Sequence, residues 1–201
     1  MTDAPRYAAN CSMLFTELPL LERPAAARAA GFDAIEIWWP FDNAVPADAE
    51  VDRFVDAVQD AGVQLVGLNF AAGDMPGGDR GLVSWPARSG EFRDNIAVTV
   101  GIGERLGTRV FNALYGNRID EVSEQEQDEV ATDNLALAAA ASAHIDAVVL
   151  IEPVSGADRE IGRLRNRSKI PLVTSVFSPM PVPMLANSTV ITMMPGSTYC
   201  R

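Results

Sequence analysis

Two glutamates that end or lie within short apolar runs are the residues best suited to proton transfer. Glu152 closes the run "VVLIE" directly before Pro153, and Glu36 lies within "DAIEIWW". A carboxylate at the end of a buried strand is costly to desolvate unless it meets a cation, a hydrogen-bond donor or a metal ion. Such surroundings can shift its pKa to values that suit proton transfer. Glu152 is therefore a candidate catalytic residue, whereas Glu36 either reaches the same site or only pairs with an arginine.

Other catalytic chemistries find little support in the sequence. The single histidine, His144, precedes an apolar run and is expected on the face opposite the strand ends, in a structural role. Cys11 and Cys200 lack the spacing of metal ligands and are expected to be free thiols. Neither a Gly-x-Ser-x-Gly elbow nor a phosphate-binding glycine loop with lysine is present. Carboxylates remain, and hard oxygen ligands favour Mg2+ or Mn2+, which would suit enolisation of a hydroxy-carbonyl compound without excluding other reactions.

The elements that must position these residues follow a repeating pattern of an alanine-rich segment, a turn and a short apolar run. Gly31, Gly62 and Gly107 fall where helices would end, and Ala143-His144 takes that place in the fourth copy. The predicted strands are "YAANCSML", "DAIEIWW", "VQLVGLNF", "TRVFNALY" and "DAVVLIE". Alternation of strand and helix predicts an α/β fold with a parallel sheet, either a barrel or an open doubly wound sheet. The dinucleotide-binding kind of open sheet is less favoured, because no Gly-x-Gly-x-x-Gly motif follows the first strand.

In a barrel, chemistry belongs at the carboxyl ends of the strands. Those ends carry Asn10, Ser12, Glu36, Trp38, Asn69, Asn112 and Glu152. The long glycine-containing connection "AAGDMPGGDRGLVSWPARSG" suits a lid over the site, and a simple surface excursion is the alternative.

Composition limits the classes of function. A chain of 201 residues with 48% hydrophobic residues can bury one core, and its net charge of -11 argues against a nucleic-acid binder. The apolar runs are shorter than the ~20 residues that span a bilayer, and the N-terminus lacks the pattern of a signal peptide. We therefore expect a cytoplasmic protein with no membrane partner.

The segments "YAANCSMLFTELPLLER", "AGFDAIEIWWPFD", "LNFAAGDMPGGDRGL", "PARSGEFRDNI", "LGTRVFNALYG" and "LIEPVSG" together resemble the hydroxypyruvate isomerase family, a branch of the xylose isomerase-like TIM barrels. The resemblance runs through about residues 6 to 157, in order and at compatible spacing. One departure is Leu68 before Asn69, where many members of the family carry a histidine.

The resemblance implies reversible conversion of hydroxypyruvate and tartronate semialdehyde through an enediol, with 2-oxotetronate isomerisation as an alternative. It makes Glu152 the proton-shuttling glutamate of the fifth strand and a ligand of a divalent metal, Mg2+ or Mn2+. Asn10, Asn69, Asn112 and Glu36 would contact a small hydroxy-carbonyl acid. A second catalytic glutamate and further metal ligands belong to strands six to eight of the family, and a homo-oligomer is possible.

The last part of the chain departs from that resemblance. A (β/α)8 TIM-type barrel needs ~250 residues, so we expect an incomplete barrel of about five β/α units at residues 1–157, followed by an atypical tail at 158–201. Residues 1–158 hold 10 Arg and 26 Asp or Glu, whereas residues 159–201 hold 6 Lys or Arg and one Glu. The switch indicates a shifted reading frame or a truncated gene, and a divergent C-terminus is the alternative. Within it "IPLVTSVFS" and "STVITMM" are possible strands. Activity of this chain would then be low, and a non-catalytic partial barrel is a further hypothesis.

Overall fold

The computed structural model describes residues 6–152, 173–174 and 188–189. Its strands are β1 (Arg6–Asn10), β2 (Ala34–Ile37), β3 (Gln64–Asn69), β4 (Val110–Leu114), β5 (Val148–Glu152), β6 (Val173–Thr174) and β7 (Ser188–Thr189). Its helices are α1 (Arg23–Ala29), α2 (Asp48–Ala61), α3 (Ser89–Leu106) and α4 (Glu124–Ala143), with 3-10 turns at Leu20–Glu22 and Pro86–Arg88. The predicted alternation of five strands with helices is confirmed.

All strand pairs are parallel, and the sheet order is β6-β5-β4-β3-β2-β1-β7. Strands β1 to β5 therefore lie side by side in the sheet in sequence order. The two short outer strands fall within the segments "IPLVTSVFS" and "STVITMM" that were expected to form strands. The proposed boundary at residue 157 lies outside the described residues and stays a prediction.

The five long strands have two different faces. On the face that packs against the helices, the residues are apolar and buried: Ala9, Ile35, Ile37, Leu65, Leu68, Phe111, Ala113, Val149 and Ile151. They share one core with Phe54 of α2, Phe92 and Ile102 of α3, and Leu135 of α4. Full burial of a large apolar side chain contributes roughly 1.5–3 kcal/mol, so this layer supplies most of the stabilisation. We call the opposite, half-exposed side of the sheet the inner face.

Helix ends behave as the glycine spacing predicts. Gly62 and Gly107 cap α2 and α3 in the left-handed conformation, with φ of 65° and 72°, and Gly31 after α1 has φ 94°. In the fourth unit His144 stays right-handed, and the positive φ of 54° falls on Asp146 instead. Asp tolerates this region better than most residues because its short polar side chain can bond locally.

The long connection after β3 is anchored along its second half. Ser84 N donates to Tyr115 O over 2.9 Å, and Asn134 Nδ2 of α4 donates to Val83 O over 2.9 Å. Leu82, Val83 and Ser84 are fully buried. The packing of this part argues against its moving as a lid, because opening it would expose apolar side chains and break these bonds. Only the tip around residues 74–78 is largely exposed.

Within the described residues, no helix combines the length and the apolar character needed to cross a membrane.

Candidate active site

Asn10 and Glu36 form the first of two amide–carboxylate pairs on the inner face. They are direct partners in the β1–β2 register, and Asn10 Nδ2 donates to Glu36 Oε1 over 2.7 Å. Asn10 Oδ1 accepts from the Ser12 backbone N–H at 2.9 Å, and Ser12 Oγ accepts from the Trp38 N–H at 2.9 Å. Asn10, buried to 4% exposure, thus fixes the Glu36 carboxylate. Its direct contact with a substrate stays a prediction.

Asn112 and Glu152 form the second pair, on β4 and β5. Asn112 Nδ2 donates to Glu152 Oε2 at 2.5 Å. Burial of Glu152 raises the pKa of its carboxyl above the ordinary value, and the hydrogen bond from Asn112 opposes this shift in part. Burial penalises the ionised form, whereas an amide donor favours it. Glu152 therefore holds its proton more readily than a solvated glutamate, a direction that suits a general acid or base.

Strand β3 lies between the two pairs and contributes Asn69 and Gly67. Asn69 is the register partner of Asn112, and Gly67 is the register partner of Glu36. The β2–β3 register shifts between Ile35 and Glu36, as at a β-bulge, which leaves Val66 without a direct partner there. The structure thus places Asn10, Glu36, Asn69, Asn112 and Glu152 at one edge of the sheet, as the sequence predicts.

A polar network behind this edge was not found by sequence reasoning. Tyr115 Oη donates to Asp128 Oδ1 over 2.6 Å, and Arg118 Nη2 lies 3.3 Å from the same oxygen. The Arg118 guanidinium also lies over the Tyr115 ring at 5.3 Å. Asp128 is in the acidic stretch "SEQEQDE", where a solvated helix face is the usual expectation, so the sequence gives no signal that singles it out.

Gln127, next to Asp128, ties the same loops together. Its Nε2 donates to Ser84 O at 3.3 Å and to Asn117 O at 3.2 Å, and its Oε1 accepts from Ile119 N at 3.2 Å. The connections after β3 and β4 are consequently held by one buried side chain of α4.

Comparison with known protein families shows which family the chain belongs to. The family described as "Xylose isomerase-like TIM barrel" matches residues 24–174. The chain belongs to this family. The parallel sheet of β/α units is therefore part of a TIM barrel, as the fold prediction states.

Curated relatives of this family match about three quarters of the chain. It is 53% identical over 152 residues to a "Putative hydroxypyruvate isomerase" of Streptomyces coelicolor, with 75% of this chain and 54% of the relative covered. It is 34% identical to the 2-oxo-tetronate isomerase of Cupriavidus necator (77% and 57% covered) and 30% identical to the hydroxypyruvate isomerase of Escherichia coli (76% and 57% covered). The chain thus spans about half the length of the curated relatives it matches.

Solved structures agree on the fold. A protein described as an AP endonuclease of family 2 from Brucella melitensis is 27% identical, with a TM-score of 0.69, over 92% of this chain and 67% of that one. A xylose isomerase-like TIM barrel protein from Mycobacterium smegmatis in complex with magnesium is 11% identical, with a TM-score of 0.59, over 81% of this chain and 61% of that one. The second likeness shows the fold alone.

A divalent ion does not fit the described residues by themselves. The described part of the chain contains no group of three or more His, Cys, Asp or Glu side chains that could hold a metal ion. Glu152 offers one carboxylate, and its neighbour Asn112 directs a donor, not an oxygen, at it. Mg2+ and Mn2+ favour several oxygen ligands, so Glu152 could be only one ligand of a larger set.

The histidine and the cysteines of the sequence have no assigned role in the candidate active site. His144 is exposed at the C-terminal end of α4, away from the carboxyl ends of the strands, as predicted. Cys11 is a buried free thiol, and burial raises its pKa to about 11, with Arg23 opposing and Glu36 adding to the shift. Cys200 lies outside the described residues.

Proposed function

We propose that this chain carries the proton-transfer half of an aldose–ketose isomerase site that interconverts hydroxypyruvate and tartronate semialdehyde. The observation that carries the choice of reaction is the 53% identity over 152 residues to the Streptomyces coelicolor relative named for hydroxypyruvate isomerase. The Glu152 geometry supports it, because enolisation needs a carboxylate whose pKa is closer to neutrality than that of a solvated glutamate.

In this mechanism Glu152 removes a proton from C3 of hydroxypyruvate and returns it to C2. The electron pair of the broken C–H bond forms the C2–C3 double bond of the enediol, and return of the proton restores a carbonyl at C3. Asn112 donates to Glu152 Oε2, and we assign the proton transfer to Oε1. The hydroxyl proton must also move from O3 to O2, and the resemblance assigns a second glutamate, of the eighth strand, to catalysis.

A divalent ion, Mg2+ or Mn2+, belongs to the proposal with Glu152 as one ligand. The magnesium complex of the Mycobacterium smegmatis protein is consistent with metal use in such barrels. When bound, such an ion would polarise the substrate carbonyl. The described residues supply one carboxylate toward it, so the remaining ligands would have to come from elsewhere.

Two alternatives have support of their own. The Cupriavidus necator relative makes a 2-oxotetronate substrate an alternative, and a non-catalytic partial barrel stays a further hypothesis. The likeness to the Brucella melitensis protein suggests an endonuclease as a further candidate function. A net charge of -11 argues against it, because such a charge is unfavourable for binding a polyanion. A small acid substrate, with Asn10, Asn69, Asn112 and Glu36 around it, is the proposal we retain.

The test is conversion of hydroxypyruvate by the 201-residue chain with Mg2+ or Mn2+ present, beside Glu152→Gln. Glu104→Gln, an exposed glutamate of α3, is the matched control. Loss of Glu152 should lower turnover by ~10²- to 10⁴-fold, while the control keeps it. Equal turnover in both variants would contradict the assignment of Glu152, and a folded chain without turnover would support the partial barrel.

A further inference from the structure

The candidate active site needs a positive charge that its amide–carboxylate pairs do not supply. The proposed substrate is an anion, and the edge of the sheet that would bind it carries the carboxylates of Glu36 and Glu152. Like charges held close together repel, so an anionic ligand binds beside carboxylates only when a cation offsets the repulsion. Arginine suits this task because its planar guanidinium can donate two parallel hydrogen bonds to one carboxylate.

Three of the arginines near the carboxyl ends of the described strands already hold other groups. Arg88 pairs with Asp79 at 2.6 Å, and Arg118 pairs with Asp128 at 3.3 Å. Arg23 donates through Nε and Nη1 to two main-chain oxygens of the connection after β1, at 3.0 and 3.1 Å. These contacts make all three guanidinium groups part of the structure of the loops.

Arg80, in the connection after β3, is held more weakly. Its Nη1 donates to Met75 O over 3.0 Å and to Asp79 O over 2.6 Å, and both acceptors are uncharged main-chain oxygens. Arg80 is exposed, and no ion pair joins it to a carboxylate among the residues that the structure describes. Hydrogen bonds between two charged groups are roughly twice as strong as those between neutral groups, and exposed side chains change rotamer readily. An anionic ligand can therefore recruit this guanidinium.

The main chain at Arg80 lies next to the strand end that faces Glu152. The following residue, Gly81, packs so closely against Leu114 O of β4 that a Cβ on it would clash there. Leu114 is the register partner of Glu152. Gly81 N also donates to Ala72 O over 3.0 Å, which fixes the main chain at this point. Neighbouring strands are ~4.8 Å apart and consecutive Cα atoms ~3.8 Å apart, so a small ligand at Glu152 lies within the span of an arginine side chain that starts here.

We propose that the Arg80 guanidinium binds the carboxylate of the substrate and so holds the adjacent carbons C2 and C3 at Glu152. This inference rests on the proposed function, in which Glu152 moves a proton between those carbons. The carboxylate carbon C1 is bonded to C2, so a cation on the β4 side of Glu152 fixes one end of the acid while the other end reacts. Arg80 thereby makes the site prefer acids over uncharged hydroxy-carbonyl compounds of the same size.

The experiment compares the binding of an acid with that of its uncharged amide, so it does not depend on turnover. Glycerate and glyceramide are titrated by NMR into the 201-residue wild-type chain, Arg80→Gln, Arg80→Lys and Arg109→Gln. Arg109 is the matched control, because it is exposed, donates to a main-chain oxygen at 3.0 Å and precedes β4, at the opposite ends of the strands.

Arg80→Gln should weaken glycerate binding roughly five- to tenfold and change glyceramide binding by less than about twofold, because only the acid presents a charge to the guanidinium. Arg80→Lys should recover part of the glycerate affinity, since it keeps the charge and loses the planar fork.

The outcomes separate this inference from the proposed function. Selective loss of glycerate binding in Arg80→Gln, with Arg109→Gln like the wild type, supports the assignment of Arg80. Glycerate binding that Arg80→Gln leaves unchanged, or a loss shared equally by glycerate and glyceramide, overturns that assignment and leaves the isomerase proposal intact. Failure of the folded wild-type chain to bind glycerate overturns the proposed function, and the role of Arg80 with it.

Discussion

Asn112 and Glu152 are joined by a hydrogen bond although they are not opposite each other in the sheet. Asn112 pairs with Leu150 in the register, and Glu152 pairs with Leu114, so the bonded side chains are diagonal neighbours on one face. Diagonal positions lie within reach of long side chains. Asn10 and Glu36, by contrast, are direct register partners. An amide side chain therefore donates to each carboxylate, directly across the register in one pair and diagonally in the other.

Asn112→Ala should raise the pKa of Glu152 further. The substitution removes the donor that lowers this pKa and leaves the burial that raises it. The rising limb of the pH–rate profile should shift to higher pH, with a loss of kcat smaller than the ~10²- to 10⁴-fold expected for loss of the base itself. Titration of the Glu152 carboxyl by ¹³C NMR gives the same shift without turnover, and an unchanged or lower pKa would refute the positioning role.

Glu152→Gln should stabilise the fold at neutral pH. Because the folded-state pKa of Glu152 lies above its ordinary value of 4.5, the folded chain holds the proton more tightly than the unfolded chain. The free energy of unfolding therefore falls as pH rises from the ordinary value through the folded-state pKa, and the deficit stays constant above it.

Urea unfolding at about pH 8 should consequently show Glu152→Gln to be more stable than the wild type, with the difference vanishing near about pH 4. Glu104→Gln, on the exposed side of α3, should show no such pH-dependent gain. A wild-type chain that is more stable than Glu152→Gln at the higher pH would contradict the burial argument.

Asn95→Ala should destabilise the chain by roughly 2–5 kcal/mol, because it leaves several buried groups unpaired. Asn95 Oδ1 accepts from Ala71 N at 2.8 Å and from Thr99 Oγ1 at 3.0 Å, and Nδ2 donates to Ala44 O at 2.8 Å. Urea unfolding gives the loss, and hydrogen exchange at the Ala71 amide should accelerate. Asn43→Ala, at an exposed residue, is the control, and a similar small effect for both would show that these bonds matter little.

The Cys11 thiol should resist labelling in the folded chain. Its side chain is inaccessible and its pKa is raised to about 11, so little thiolate exists near neutral pH. In a Cys200→Ser background, a thiol reagent should react with Cys11 only after denaturant is added. Stoichiometric labelling of the native chain at neutral pH would show that this segment opens readily.

The sequence predicts features that depend on local pattern or on the general geometry of parallel sheets. The strands follow from short apolar runs, and the turns at Gly62 and Gly107 from the conformational freedom of glycine. Glu36 and Glu152 share an edge because parallel strands end together. The partner of each carboxylate was not predictable, because the diagonal contact of Asn112 depends on a register that only tertiary packing fixes.

The burial of residues within polar stretches was also not predictable from the sequence. Gln127 and Asp128 lie in a run of acidic and amide residues, yet both are buried. Their exposure is decided by the loops after β3 and β4, which come from distant parts of the chain. The shift of positive φ from His144 to Asp146 likewise depends on how α4 meets β5, not on residue preference alone.

The side-by-side arrangement of β1 to β5 in chain order has a consequence for folding during synthesis. Each of the strands β2 to β5 pairs with the strand completed just before it, so that neighbour already exists when the new strand emerges. Contacts between neighbouring units keep loop closure short, which lowers its entropic cost. The polypeptide can therefore assemble unit by unit as it leaves the ribosome, with each β/α unit serving as the template for the next.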